Sequence, residues 1–170
     1  MPGSDTRNYL QDSGEKLYRR SLYTFWKRSA PPASMDIFNA PSREVCTVRR
    51  ERTNTPLQAL ATMNDIQFVE AARRLAETLV REGCDCDCVD SRFGIIARKL
   101  LARPFTEAED KVVRDSFKGL LDYYKAHPDD AAKLVAVGES KVDATLDVPL
   151  LAAWTMLANE LMNLDEVLNK

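Results

Sequence analysis

Hydrophobic positions recur at helical spacing along most of this chain. The clearest run is Leu150, Trp154, Leu157, Leu161, Leu164 and Leu168, whose steps alternate between four and three residues and predict a final helix sandwiched against others. A second, broader stripe comprises Phe68, Val69, Ala72, Leu75, Ala76, Leu79 and Val80, with Glu70, Arg73, Arg74 and Glu77 placed outside it. Gly83 is suited to close that helix. Phe93, Ile96, Ala97, Leu100 and Leu101 predict a helix that begins at Asp90 or Ser91 and stops at Arg103-Pro104. Thr106 and Glu109 have capping-box spacing, and Val113, Phe117, Leu120, Leu121 and Tyr124 carry the following helix to His127. Pro128-Asp129-Asp130 then opens a short helix that Gly138 ends.

The N-terminal third is less regular. Tyr18, Leu22, Phe25 and Trp26 share one face of a helix over 13–28, although the run Leu22 to Trp26 also suits a short buried strand. Pro31 and Pro32 end that element. Ser34 to Phe38 makes a single helical turn, and the rest of 33–52 is a long ordered loop, a feature more often functional than incidental in a compact domain. Thr53 or Thr55 caps a helix with Pro56 in its first turn and Leu57, Leu60 and Ala61 as its buried face. Asn64 and Gln67 have capping-box spacing for the next helix. The expected fold is all-α, an irregular bundle of six to seven helices with one long ordered N-terminal loop. Residues 1–12 are expected to be a flexible arm, and 13–170 a single helical domain. No sustained β alternation and no internal repeat occurs.

With 170 residues, 45% of them hydrophobic, the chain can build a core without disulfides or metals. A net charge of -2 argues against a general nucleic-acid binder. Charge is uneven, however: Lys16 to Arg52 holds nine Lys/Arg against Asp36, Glu44 and Glu51, so the remainder is acidic. No run is long and apolar enough to span a membrane, and the first residues lack the apolar core of a secretion signal.

The densest stretch chemically is Arg43 to Phe68. Arg49, Arg50 and Arg52, followed by Asn54 and Thr55, suit an anionic ligand such as a sulfated or uronic-acid sugar, because guanidinium groups fork onto planar oxyanions. Ion pairs with Glu44, Glu51, Asp65 or the C-terminal acids, and hydrogen bonds to loop carbonyls, are the commoner use of such arginines. Asp36, Glu44 and Asp65 are the acids nearest this loop, and two of them could flank a glycosidic bond; helix caps and salt bridges are the simpler use. Cys84, Cys86 and Cys88 offer thiolates to zinc or copper(I), with Cys46 as a fourth ligand if the fold brings it near. A Cys84–Cys88 bridge and unligated surface thiols are the competing readings of that loop. His127 is the only histidine and ends a helix, and Trp26 and Trp154 sit on apolar faces that suit core packing.

The phrase YRRSLYTFWKRSAPPASMDIFNAPSREVCTVRRERTNTPLQALATMND, Tyr18 to Asp65, resembles the planctomycete-specific C-terminal domain of unknown function. The segment Arg103-Pro104-Phe105-Thr106-Glu107-Ala108-Glu109 is similar to that family's Arg-Pro-x-x-x-x-Glu helix junction. Leu161-Met162-Asn163-Leu164-Asp165-Glu166-Val167 resembles its closing phrase. The resemblance implies the C-terminal part of a larger exported protein, periplasmic or otherwise extracytoplasmic, in which such domains follow a cytochrome-c-like module, often beside polysaccharide-degrading genes. It implies no reaction. This chain has no Cys-x-x-Cys-His, so haem is expected only in a separate module and no cofactor in this one. The expected partners are other domains of the parent protein and an anionic carbohydrate. The three-cysteine loop is not part of the family pattern. Two functions follow as expectations: a non-catalytic or ligand-lining helical domain, and, as the alternative, a fragment of an enzyme acting on acidic or sulfated polysaccharide.

Overall fold

The computed structural model describes residues 9–10, 12–27, 31–42, 44–49, 51–82 and 89–169. Among these the chain is all-α, with six helices of seven or more residues and no strand. No described helix is long and apolar enough to cross a membrane. The chain divides into two compact units, Met1–Gln58 and Ala59–Lys170.

In the first unit the expected helix over 13–28 does not form. Two short 3-10 turns, Gly14–Tyr18 and Ser21–Tyr23, take its place, and Tyr18, Leu22 and Phe25 are exposed. The physical reason is that short helices depend on burying an apolar face, and this aromatic run has low helical propensity of its own. Gly14 enters the first turn with φ +62°, a left-handed conformation that suits glycine. Tyr9 is docked: its hydroxyl accepts from the Lys27 backbone N–H at 3.2 Å, and the Lys27 ammonium lies 4.5 Å from its ring centroid. The expected single turn is present as α1, Ala33–Ile37. Asn39, at φ 54°, turns the chain out of it.

Helix α2, Pro56–Asn64, crosses the boundary between the units. Thr55 and Gln58 cap its start reciprocally: Thr55 Oγ1 accepts from the Gln58 N–H at 3.3 Å, and Gln58 Oε1 accepts from the Thr55 N–H at 3.0 Å. Its buried face is the reverse of the sequence expectation. Leu57 and Leu60 are more than half exposed, whereas Gln58 and Thr62 are 3% and 1% exposed. The polar pair is tolerated inside because it is hydrogen-bonded: Gln58 Nε2 donates to the Ile37 carbonyl at 2.8 Å, and the Thr62 hydroxyl donates to Asn163 Oδ1 at 2.9 Å.

The second unit contains α3 (Ile66–Glu82), α4 (Val89–Leu100), α5 (Glu107–Ala126), α6 (Pro128–Val135), α7 (Val148–Met162) and α8 (Asp165–Leu168). Its axis is α7, with α3, α5 and α6 as its principal neighbours. Every residue from Leu151 to Thr155 is buried, so the helix is enclosed rather than presenting one stripe. Phe93, Phe117 and Trp154 form an aromatic cluster at the centre, with ring centroids 4.4 to 5.6 Å apart. Asp147 caps α7 by accepting from the Leu150 N–H at 3.2 Å. The expected continuous run to Leu168 breaks at Asn163-Leu164, and the chain restarts as α8. Leu151, Trp154, Leu157 and Leu161 are buried in the core along α7, as the sandwiched helix requires, whereas Leu164, beyond its end, is exposed.

Helix starts and stops follow local chemistry. Asp65, not Asn64, serves α3, its Oδ1 accepting from the Gln67 N–H at 2.8 Å, while Asn64 donates back to the Leu60 carbonyl. Thr106 and Glu109 form the expected capping box on α5. Ala102 follows α4 at φ 61°, the left-handed position where glycine is usual.

Candidate functional site

The arginine-bearing loop is closed at its base within the first unit. Asn39 Nδ2 donates to Thr53 Oγ1 at 2.5 Å, and Gln58 Nε2 reaches the same hydroxyl oxygen at 3.0 Å. The chain between Asn39 and Thr53 is thus a loop with its ends tied, which lowers the entropy that a bound ligand would have to remove. Arg49 and Arg52 are exposed on it, as are Asn54 and Thr55, and Thr55 is engaged in capping α2. Arg50 lies outside the described residues, and so do Cys84, Cys86 and Cys88. Cys46 is an exposed free thiol. Among the described residues no group of three or more His, Cys, Asp or Glu is placed to hold a metal ion.

The other candidates take structural places. Asp36 lies in the first turn of α1, Glu44 is exposed, and Asp65 caps α3. His127 ends α5 with its Nδ1 2.9 Å from the Tyr123 carbonyl oxygen and its ring stacked on Tyr123 at 4.4 Å. Trp154 is fully buried in the core, and Trp26 is half-buried.

The residues that sequence reasoning missed lie on α3. Glu70, Arg73 and Glu77, expected on its outer face, are 4%, 0% and 1% exposed. They follow one another at roughly one helical turn, on a face adjoining the apolar stripe, and carry alternating charge. Arg73 Nη1 donates to Glu77 Oε1 at 2.6 Å, and its Nη2 donates to both the carbonyl and the hydroxyl of Ser140, at 2.9 and 2.6 Å. Glu77 takes a second guanidinium from Arg74 at 2.6 Å. Glu70 accepts the backbone N–H groups of Ser140 and Glu139 at 2.8 and 3.2 Å. Gly138, at φ +101°, allows this approach, since a Cβ there would lie 2.5 Å from the Glu70 carboxyl carbon. One turn further on, Arg81 pairs with Asp143 at 2.5 Å. Hydrogen bonds from the Thr145 hydroxyl and N–H, joined by Arg81, hold the Asp143 carboxyl down at about 2. Alternating charges at one-turn spacing were the available signal, because such a row can satisfy itself when buried.

A second charged junction joins two of the sequence phrases noted above. Arg103 donates from Nη1 and Nη2 to both oxygens of Glu109, each at 2.8 Å, and from Nε and Nη2 to Glu166 at 3.1 and 2.8 Å. The fork from Arg103, followed by the Thr106 N–H, holds the Glu109 carboxyl at about 2. Chemically these arrangements neutralise, orient and tether.

No curated protein and no solved structure matches this chain. A family profile described as "PSD1: Protein of unknown function (DUF1553)" matches residues 1–117, more than half of the 170-residue chain and all of the arginine loop, and the chain belongs to that family.

Proposed function

We propose that this chain is a non-catalytic helical domain at the C-terminal end of a larger, exported planctomycete-type protein, with its arginine loop lining a ligand face. The observation that carries the reading is how the deepest charged groups are used. Glu70, Arg73 and Glu77 engage one another and the backbone at 139–140. A general acid or base needs a proton-transfer position facing substrate, and these groups are committed to one another and to fastening the turn at 139–140 onto α3. The exposed Arg49 and Arg52, on a loop tied at Asn39 and Thr53, support contact with an anionic carbohydrate or with acidic surfaces of neighbouring domains of the parent protein. The extracytoplasmic location and the neighbouring cytochrome-c-like module rest on the resemblance of Tyr18 to Asp65. Haem belongs to that separate module, and this chain takes no cofactor.

The test is to incubate the purified chain with sulfated, uronic and neutral polysaccharides, following both binding and new reducing ends. Binding confined to the anionic polymers, weakened by salt and by Arg49→Ala with Arg52→Ala, and without cleavage, is the expected result. Cleavage that disappears in Asp36→Asn or Glu44→Gln would overturn the reading in favour of an enzyme. Equal binding to neutral polymers would remove the role given to the loop.

A further inference from the structure

The segment 136–147 between α6 and α7 is attached to α3 by a different chemistry from the rest of the second unit. Along α3, Ala72, Ala76 and Leu79 belong to the apolar core shared with α7, whereas Glu70, Arg73 and Arg81 hold the connecting segment through charged hydrogen bonds. The segment contains no helix, and its apolar anchors, Val142 and Leu146, are only partly buried. Among its described backbone contacts, Leu146 N–H to the Asp143 carbonyl is long at 3.3 Å. Its described attachment to α3 is polar, through Glu70, Arg73 and Arg81, whereas α3 meets α7 through the apolar core.

We propose that residues 136–147 form a latched strap that opens as a unit while α3 stays packed on α7, and that opening presents Glu70 and Arg73 to solvent. The latch is the Glu70 carboxylate seated under Gly138, where it gathers the N–H groups of Glu139 and Ser140. Glutamine at 70 keeps the shape but brings an amide N–H toward two other N–H donors. Alanine at 138 puts a methyl group where the carboxylate sits, at a backbone angle that side chains resist. Regions held by few apolar contacts are those that open locally with low free energy.

The strap is tested by native-state hydrogen exchange on the whole chain, comparing peptides from 137–146 with peptides from α7. In the wild type, strap amides are expected to exchange faster than those of α7 and to respond little to low denaturant, while α7 exchanges through global unfolding. Glu70→Gln and Gly138→Ala are each expected to speed strap exchange by about tenfold or more, the loss of a charge-assisted hydrogen bond. Strap and α7 amides sharing one rate and one denaturant dependence in the wild type would overturn the proposal, and that measurement needs no variant to fold. Unchanged strap exchange in Glu70→Gln would overturn the latch.

Discussion

Replacing Arg73 by methionine is the sharpest test of the buried charged row. Methionine retains much of the apolar stem but removes the donors to Glu77 Oε1, the Ser140 carbonyl and the Ser140 hydroxyl, at 2.6, 2.9 and 2.6 Å. Breaking one side of a buried ion pair costs about 3–5 kcal/mol, chiefly because the remaining charge is left without a partner. Here the remaining charges are partly served. Glu77 keeps Arg74 at 2.6 Å, and Glu70 keeps the two strap N–H groups. The expected cost is therefore at the lower end, about 3 kcal/mol. With a urea slope of about 2 kcal/mol per molar, the midpoint should fall by more than about 1 M. Because Trp26 and Trp154 are the only tryptophans, the assay is urea unfolding followed by fluorescence in a Trp26→Phe background, so that the buried Trp154 reports on the second unit alone. Removing Glu77 as well, as Arg73→Met with Glu77→Leu, should recover part of the loss, because the pair is then replaced by apolar groups. A single-variant cost below about 1 kcal/mol, the level of an exposed ion pair, would refute the argument that this row is buried and paired.

Three further outcomes follow from named contacts. Thr62→Val should cost about 1 kcal/mol through the lost bond to Asn163, while Leu60→Gln should change stability by less than about 0.5 kcal/mol, as read by urea unfolding. The reverse order would restore the leucine face to the interior. Ala102→Gly should stabilise by roughly 0.5–1 kcal/mol, because φ 61° strains alanine, and a lower melting temperature would count against it. Asp143 and Glu109, held at about 2 against ordinary values of 3.8 and 4.5, stabilise the fold above those ordinary values and lose that contribution as pH falls toward 2. Melting temperature should therefore drop across that acid range, with a smaller drop in Glu109→Gln.

What was legible in the sequence was whatever periodicity or capping chemistry writes locally. Thr106 with Glu109, Pro128 ahead of Asp129, and the core stripes of α5 and α7 were all readable because each is decided within one or two turns. The misreadings share a cause: burial was inferred from side-chain polarity alone. Leu57 and Leu60 looked interior, and Glu70, Arg73 and Glu77 looked exterior, yet what decided each was a distant partner. Ile37 and Asn163 accept from the polar face of α2, and the turn at 138–140 completes the row on α3. The aromatic run from Tyr18 to Trp26 had helical spacing without a burying surface for Tyr18, Leu22 or Phe25, and spacing alone does not fold a helix. For the arginine loop, the sequence supplied the charges, and the hydrogen bond from Asn39 to Thr53, which no local pattern announces, closes its base.

Arg103 shows how two individually weak sequence phrases can express one physical constraint. The placement of Glu109 relative to Arg103 is set by the proline that follows Arg103 and by the N-cap Thr106 that starts α5. With those fixed, Glu109 falls at the third helical position, where its carboxylate both closes the capping box and meets the guanidinium. The remaining guanidinium edge then requires an acceptor from elsewhere, and Glu166 in the first turn of α8 provides it. Lysine has no planar fork to satisfy two carboxylates at once, so Arg103→Lys should loosen α8 nearly as much as Arg103→Met does. Hydrogen exchange of the amides of Val167 and Leu168 reads this directly, since both donate to the Leu164 carbonyl at the start of α8. Wild-type protection of those amides in Arg103→Lys would mean that charge alone, not the fork, holds the C-terminal turn in place.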